Sequence, residues 1–99
     1  MSITTELKSN TLFINISGRF DFGMHTEFRE ATKLANENVK QIEINLSNTD
    51  YLDSSALGML LVLHDKMKND RNAVQIKNAK SDVKKILEIA NFNKLFTII

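Results

Sequence analysis

Cysteine, proline and tryptophan are absent from this 99-residue chain, and glycine occurs only at positions 18, 23 and 58. Without a thiol there is no disulfide framework, no thiolate metal site and no cysteine nucleophile. This accords with a reducing compartment, and a cytoplasmic location is expected. So little glycine and no proline leave no compositional basis for disordered linkers or low-complexity tails. Charge of one sign is also lacking: 13 Lys and Arg against 12 Asp and Glu give a net charge of +1. Lys84-Lys85 is the only adjacent basic pair, so composition offers no reason to expect a nucleic-acid partner. The longest apolar run, Ala56 to Leu63, falls far short of the roughly 20 residues of a membrane span. The start, Met1-Ser2-Ile3-Thr4, lacks the basic head and apolar core of a secretory signal. No membrane association is expected.

The chain reads as a single domain, residues 1–99, with the 42% hydrophobic and 25% charged content of an ordinary globular protein. Ile3, Thr5 and Leu7 alternate with Thr4, Glu6 and Lys8; after Ser9-Asn10 the alternation resumes with Leu12, Ile14 and Ile16. Two strands about a tight polar turn predict a hairpin. Gly18 and Asp21 punctuate the segment after it. Met24, Phe28, Ala31 and Leu34 or Ala35 then share one helical face, and Asn36 and Asn38 close the helix. Gln41 to Ser47 is the cleanest strand, every second residue aliphatic. A polar loop, Asn48-Thr49-Asp50, leads through Tyr51-Leu52 to a second helix running from Asp53 to about Asn69. Val74 to Lys77 alternates again, Ser81 or Asp82 is expected to cap a third helix carrying Val83, Ile86, Leu87 and Ala90, and a last strand is possible at Phe96–Ile99.

Strands alternating with helices imply parallel pairing through right-handed crossovers. All four main strands keep one polar parity, unlike those of a sheet buried on both faces. The expected architecture is therefore α/β in two layers, a mixed four- to five-stranded sheet with helices mainly on one face. The other face is expected to be solvated, with Phe13 its most conspicuous apolar residue.

Catalysis finds no support. His25 and His64 have no second ligand at metal-binding spacing and read as surface or half-buried histidines. Ser54 and Ser55 lack the flanking glycines of a nucleophile elbow, and no phosphate-binding glycine loop is present. The chain is expected not to be an enzyme and to need no cofactor or metal.

The informative stretch is Asp53-Ser54-Ser55-Ala56-Leu57-Gly58. Asp53 suits a helix N-cap, its carboxylate accepting from the N–H of Ser55 or Ala56. Ser54 then stands at the first helical position, where the hydroxyl is not needed for the cap and the positive end of the helix dipole tolerates an anion. The run from Ala56 to Leu63 is apolar on all sides for two turns, more than a two-layer core uses. Its surplus would make an apolar patch for a protein partner, to which the flexible Met59 is suited.

Tyr51-Leu52-Asp53-Ser54-Ser55-Ala56-Leu57-Gly58 resembles the phosphorylation motif of the anti-sigma-factor antagonists of the STAS domain family. Gly18-Arg19-Phe20-Asp21 is similar to that family's turn after the second strand, Ile42 to Ser47 to its third strand, and Ser81 to Leu87 to its third helix. The resemblance implies a partner-switching regulator with no catalytic residues of its own. Ser54 would be the phosphoacceptor, with Ser55 the alternative. Asp21 would lie beside it, and Asp21, Asp53, Ser55, Ala56, Leu57, Gly58 and Met59 would meet the partner. The partners implied are a serine-kinase anti-sigma factor, which binds ATP and has a histidine-kinase-like fold, and a metal-dependent serine phosphatase. The chain departs from the pattern in carrying Ala56 where glycine is commoner, in lacking a glycine within Asn91-Phe92-Asn93, and in ending near Ile99, where many members add a helix. The alternative is a non-phosphorylated STAS accessory or scaffold subunit of an ABC-type transporter or signalling complex.

Overall fold

A computed structural model describes residues 2–99. Ser2–Lys8 (β1) and Thr11–Phe20 (β2) form the expected antiparallel hairpin. Its two-residue turn has φ of 51° at Ser9 and 67° at Asn10, the doubly left-handed geometry whose twist matches that of the flanking strands. A single 3-10 turn, Phe22–Met24, leads into α1 (His25–Thr32); β3 is Gln41–Leu52, α2 Ser54–Lys66, β4 Val74–Lys77 and α3 Ser81–Ile89. A second 3-10 turn, Phe92–Lys94, precedes the short β5, Thr97–Ile98. The strands lie in chain order, β1-β2-β3-β4-β5, with all pairs after the first parallel.

Leu12, Ile14, Ile16, Ile42, Ile44, Leu46, Val74 and Ile76 are buried to 1% exposure or less. Their neighbours of opposite parity, Phe13, Asn15, Glu43, Asn45, Gln75 and Lys77, are only half-buried. The helices thus cover one face, where Met24, Phe28, Leu60, Leu63, Val83, Leu87 and Phe96 complete the core. Each such side chain contributes about 1.5–3 kcal/mol on leaving water. On the open face Asn45 donates to Asn15 at 3.0 Å, Asn78 donates to Asn45 at 3.2 Å, and Lys77 pairs with Glu43.

The polar segment Asn48-Thr49-Asp50 is not a loop but strand, because β2 and β3 continue together to Phe20 and Leu52. Two register shifts each give β3 one residue more than β2, after Asn15 and after Gly18. Buried positions in β3 therefore change from every second residue to every third: Leu46, Thr49, Leu52. Thr49 is fully buried, and its hydroxyl donates to the Ile16 carbonyl at 2.7 Å. Gly18, expected to begin a turn, lies inside β2 at φ 87°, the left-handed value a bulge demands.

The helix ends also differ from expectation. The helix α1 stops at Thr32, and the chain reaches Ala35 by turns that still bury Ala35 and leave Leu34 exposed. The helix α2 stops at Lys66, where Lys68 and Asn69 turn left-handed at φ 62° and 57°. Neither Ser81 nor Asp82 caps α3: Lys80 holds the N-cap position without a side-chain cap bond, and its ammonium reaches Asp50 at 2.6 Å. Asn91 takes φ 63° after α3, the role a glycine more often fills. His64 is not at the surface but buried edge-on against Phe96, ring centroids 5.2 Å apart.

Candidate functional site

At the C-terminal ends of β2 and β3, Phe20 and Leu52 are register partners, and the N–H of Asp53 donates to the carbonyl of Phe20 at 3.4 Å. Each strand then ends in an aspartate. Asp53, extended at φ −110°, accepts through Oδ1 from the N–H of Ala56 at 2.9 Å. Asp21 caps the 3-10 turn by accepting from the N–H of Gly23 at 2.9 Å. Both carboxylates thus satisfy helical N–H groups that have no partner within their own turn.

Ser54 occupies the first position of α2 and is exposed, while Ser55 is half-buried. Neither side chain makes a hydrogen bond within the chain to another described residue. The Ser54 hydroxyl stands at the positive end of a 13-residue helix, where added negative charge is favoured by about 0.3–1 kcal/mol. Parallel register, not sequence spacing, adds two further residues. Arg19 and Tyr51 face each other across β2 and β3, the guanidinium 4.5 Å from the ring centroid and Arg19 Nε 3.5 Å from Asp21 Oδ2. The family-like Gly18-Arg19-Phe20-Asp21 segment contains Arg19, but only the pairing of strands brings it over Tyr51.

The apolar run of α2 is distributed differently from the expected contact. Ala56 is fully buried and Met59 is 7% exposed, both turned into the core, so neither supplies open surface. Leu57 is half-buried and Gly58 exposed. The surplus falls instead on Leu61 and Val62, 43% and 70% exposed. Ser54, Gly58 and Leu61 recur at helical spacing on the open side of α2, and a Cβ added at Gly58 would meet nothing within 4 Å. Near the start of α1, Phe22 is 68% exposed and stacks on His25, centroids 5.4 Å apart. Among the described residues no cluster of three His, Cys, Asp or Glu side chains could hold a metal ion, and no helix is long and apolar enough to cross a membrane.

The STAS domain family model matches residues 2–99. A STAS-domain containing protein of Pseudomonas aeruginosa (strain UCBPP-PA14) is 45% identical over 87 residues, 88% of this chain and 86% of that protein. Among solved structures, the anti-sigma factor antagonist SpoIIAA in its unphosphorylated form superposes with a TM-score of 0.72 at 19% identity, over 89% of this chain and 83% of that one. An anti-sigma factor antagonist from Mycobacterium paratuberculosis gives 0.83 at 16% identity, over 98% and 83%. A sulfate transporter family protein from Wolinella succinogenes gives 0.75 at 12% identity, over 90% and 73%. These structures share the fold: a mixed five-stranded sheet with three helices. With the match running over residues 2–99 and a curated relative at 45% identity, the chain belongs to the STAS domain family.

Proposed function

We propose that this chain is a partner-switching regulator of the anti-sigma-factor antagonist type, acting in the cytoplasm and controlled by phosphorylation of Ser54. The observation that carries the reading is the exposed, unengaged Ser54 hydroxyl at the start of α2, on a junction pinned by the Asp53 cap and the Asp53–Phe20 bond. The unmodified form binds a serine kinase with a histidine-kinase-like, ATP-binding fold. That kinase phosphorylates Ser54, and a metal-dependent phosphatase resets it. The chain supplies a substrate hydroxyl and a docking surface, not catalytic groups. Asp21, Asp53, Ser55, Leu57 and Gly58 form the contact proposed for the kinase, extended by Leu61.

A phosphoserine carries about −1.5 to −2 charges. At the first turn of α2 the dipole accommodates it, offset in part by Asp53 and Asp21, so the fold is retained. Against the partner, the dianion is desolvated where a neutral hydroxyl had fitted, and about 3 kcal/mol there weakens binding more than a hundredfold. Incubation with the cognate kinase and ATP should add a single phosphate by intact mass. Ser54→Ala should abolish it and Ser55→Ala should leave it; no phosphate on the wild type, or equal labelling of Ser54→Ala, overturns the reading.

The fold likeness to a sulfate transporter family protein favours a second reading, a non-phosphorylated accessory or scaffold subunit of a transporter or signalling complex. That reading expects an ABC-type ATPase in a pull-down, and no kinase.

A further inference from the structure

The hairpin geometry determines which backbone groups of β1 are left open. A two-residue turn is closed by a pair, Lys8 and Thr11, that exchanges both main-chain hydrogen bonds, and bonded and non-bonded pairs alternate from there. Along the continuous register of Leu7 with Leu12, Glu6 with Phe13, and on to Ser2 with Ser17, residues Ser2, Thr4, Glu6 and Lys8 are spent on β2. The N–H and C=O groups of Ile3, Thr5 and Leu7 point away from the sheet. The strand β1 is one of the two edge strands, seven residues long, without proline or bulge. An edge of this length without proline or bulge, its charges limited to Glu6 and Lys8, can template pairing with another chain.

We propose that this edge joins two copies of the chain, their β1 strands antiparallel about a twofold axis at Thr5. The register is selected by the sequence. Centred on Thr5, every outward N–H and C=O of Ile3, Thr5 and Leu7 meets a partner, and Ile3 of one copy lies opposite Leu7 of the other on the helix-bearing face. Thr4 lies opposite Glu6, and Ser2 opposite Lys8, so no like charges face each other directly. Centring on Glu6 would set two carboxylates in direct opposition, which destabilises a sheet. Centring on Thr4 sets Ile3 opposite Thr5 instead of Leu7, so the two aliphatic side chains no longer pair. Registers offset by one residue turn the core parity of one strand to the solvent side of the other. Beside this pairing Leu7 is 53% exposed, and Leu34, 44% exposed, borders a notch lined also by Ile3, Thr5, Ala31, Thr26, Glu27 and Glu30. Two copies form one continuous sheet, with each Ser54 at the far ends of β2 and β3, away from the axis.

The test combines oligomeric state with hydrogen exchange on the full chain. Sedimentation velocity from micromolar to millimolar protein should show a monomer–dimer equilibrium reaching twice the monomer mass. In the dimer the amides of Ile3, Thr5 and Leu7 should exchange more slowly, by tenfold or more, than in dilute protein. Thr5→Pro removes an N–H that β2 does not use, which an edge strand tolerates, and should give a folded monomer. Should that variant not fold, Leu7→Lys tests the same contact, and should also be monomeric. A chain that stays monomeric at millimolar concentration overturns the proposal. So does a dimer in which those three amides exchange as fast as in the monomer, or one that a folded Thr5→Pro or Leu7→Lys variant leaves intact.

Discussion

The carbonyl oxygen of Phe20 accepts a 3.4 Å hydrogen bond from the N–H of Asp53. Two segments that leave the sheet for different helices therefore start from neighbouring backbone positions, each carrying its capping aspartate. A charge placed on Ser54 stands beside this junction, and its consequences should differ for folding and for binding.

Ser54→Asp should separate those two quantities. The side chain is exposed and makes no bond that the fold uses, so stability should change by no more than about 0.5 kcal/mol. Affinity for the proposed kinase partner should fall. Thermal unfolding and titration calorimetry on the same sample check both; a large drop in melting temperature with binding retained is the contrary outcome.

Gly58→Ala should stabilise the domain by about 0.5–1 kcal/mol. Glycine within a helix costs backbone entropy relative to alanine, and here the added methyl meets nothing within 4 Å. In the contact proposed for the kinase, the missing side chain lets the partner approach the helix backbone at this point. Urea unfolding should then show a higher midpoint, while kinase binding weakens; equal binding would show that Gly58 is not at the contact.

Thr49→Val should destabilise by about 1–3 kcal/mol despite its similar shape. The buried hydroxyl is the donor to the Ile16 carbonyl at 2.7 Å, beside the first register shift. Removing it costs that hydrogen bond, and any acceptor left dry pays its desolvation. The denaturation midpoint should move with no change in slope, and Thr49→Ser should retain the bond.

Lys80 holds the Asp50 carboxyl below its ordinary value, first through their hydrogen bond and then through the ammonium charge. A depressed folded-state pKa stabilises the fold at pH values above the unfolded pKa, and that contribution disappears as pH falls through the folded one. Salt and solvent screen so exposed a pair. Lys80→Met should raise the Asp50 titration midpoint, read by carboxyl-carbon NMR, and remove this group's share of the acid-side loss of stability; an unchanged midpoint would contradict the assignment.

The strands with strict alternation were legible because one dry face imposes a period of two, as in Leu12, Ile14, Ile16 and Ile42, Ile44, Leu46. The second half of β3 was not, since its bulges replace that period with three and set polar Ser47, Asn48 and Asp50 in a strand. The Asp53 cap was legible, being local: its bond spans three residues. The placing of Ala56 and Met59 inside, and of Leu61 and Val62 outside, was not, for a run apolar on all sides carries no phase. The same is true of Lys80, whose pairing with Asp50 spans 30 residues and which stands at the N-cap position in place of the expected Ser81 or Asp82.

What the sequence alone determined is the order of elements, the one-sided sheet and the helix start at Asp53-Ser54, because periodicity and capping act over a few residues. Tertiary structure decided the setting of that start: the parallel register of β2 and β3 brings Asp21, Arg19 and Tyr51 to the same end of the sheet, and packing decides which face of α2 is free. Those relations depend on strand pairing over some 30 residues of chain, a distance at which no local preference acts.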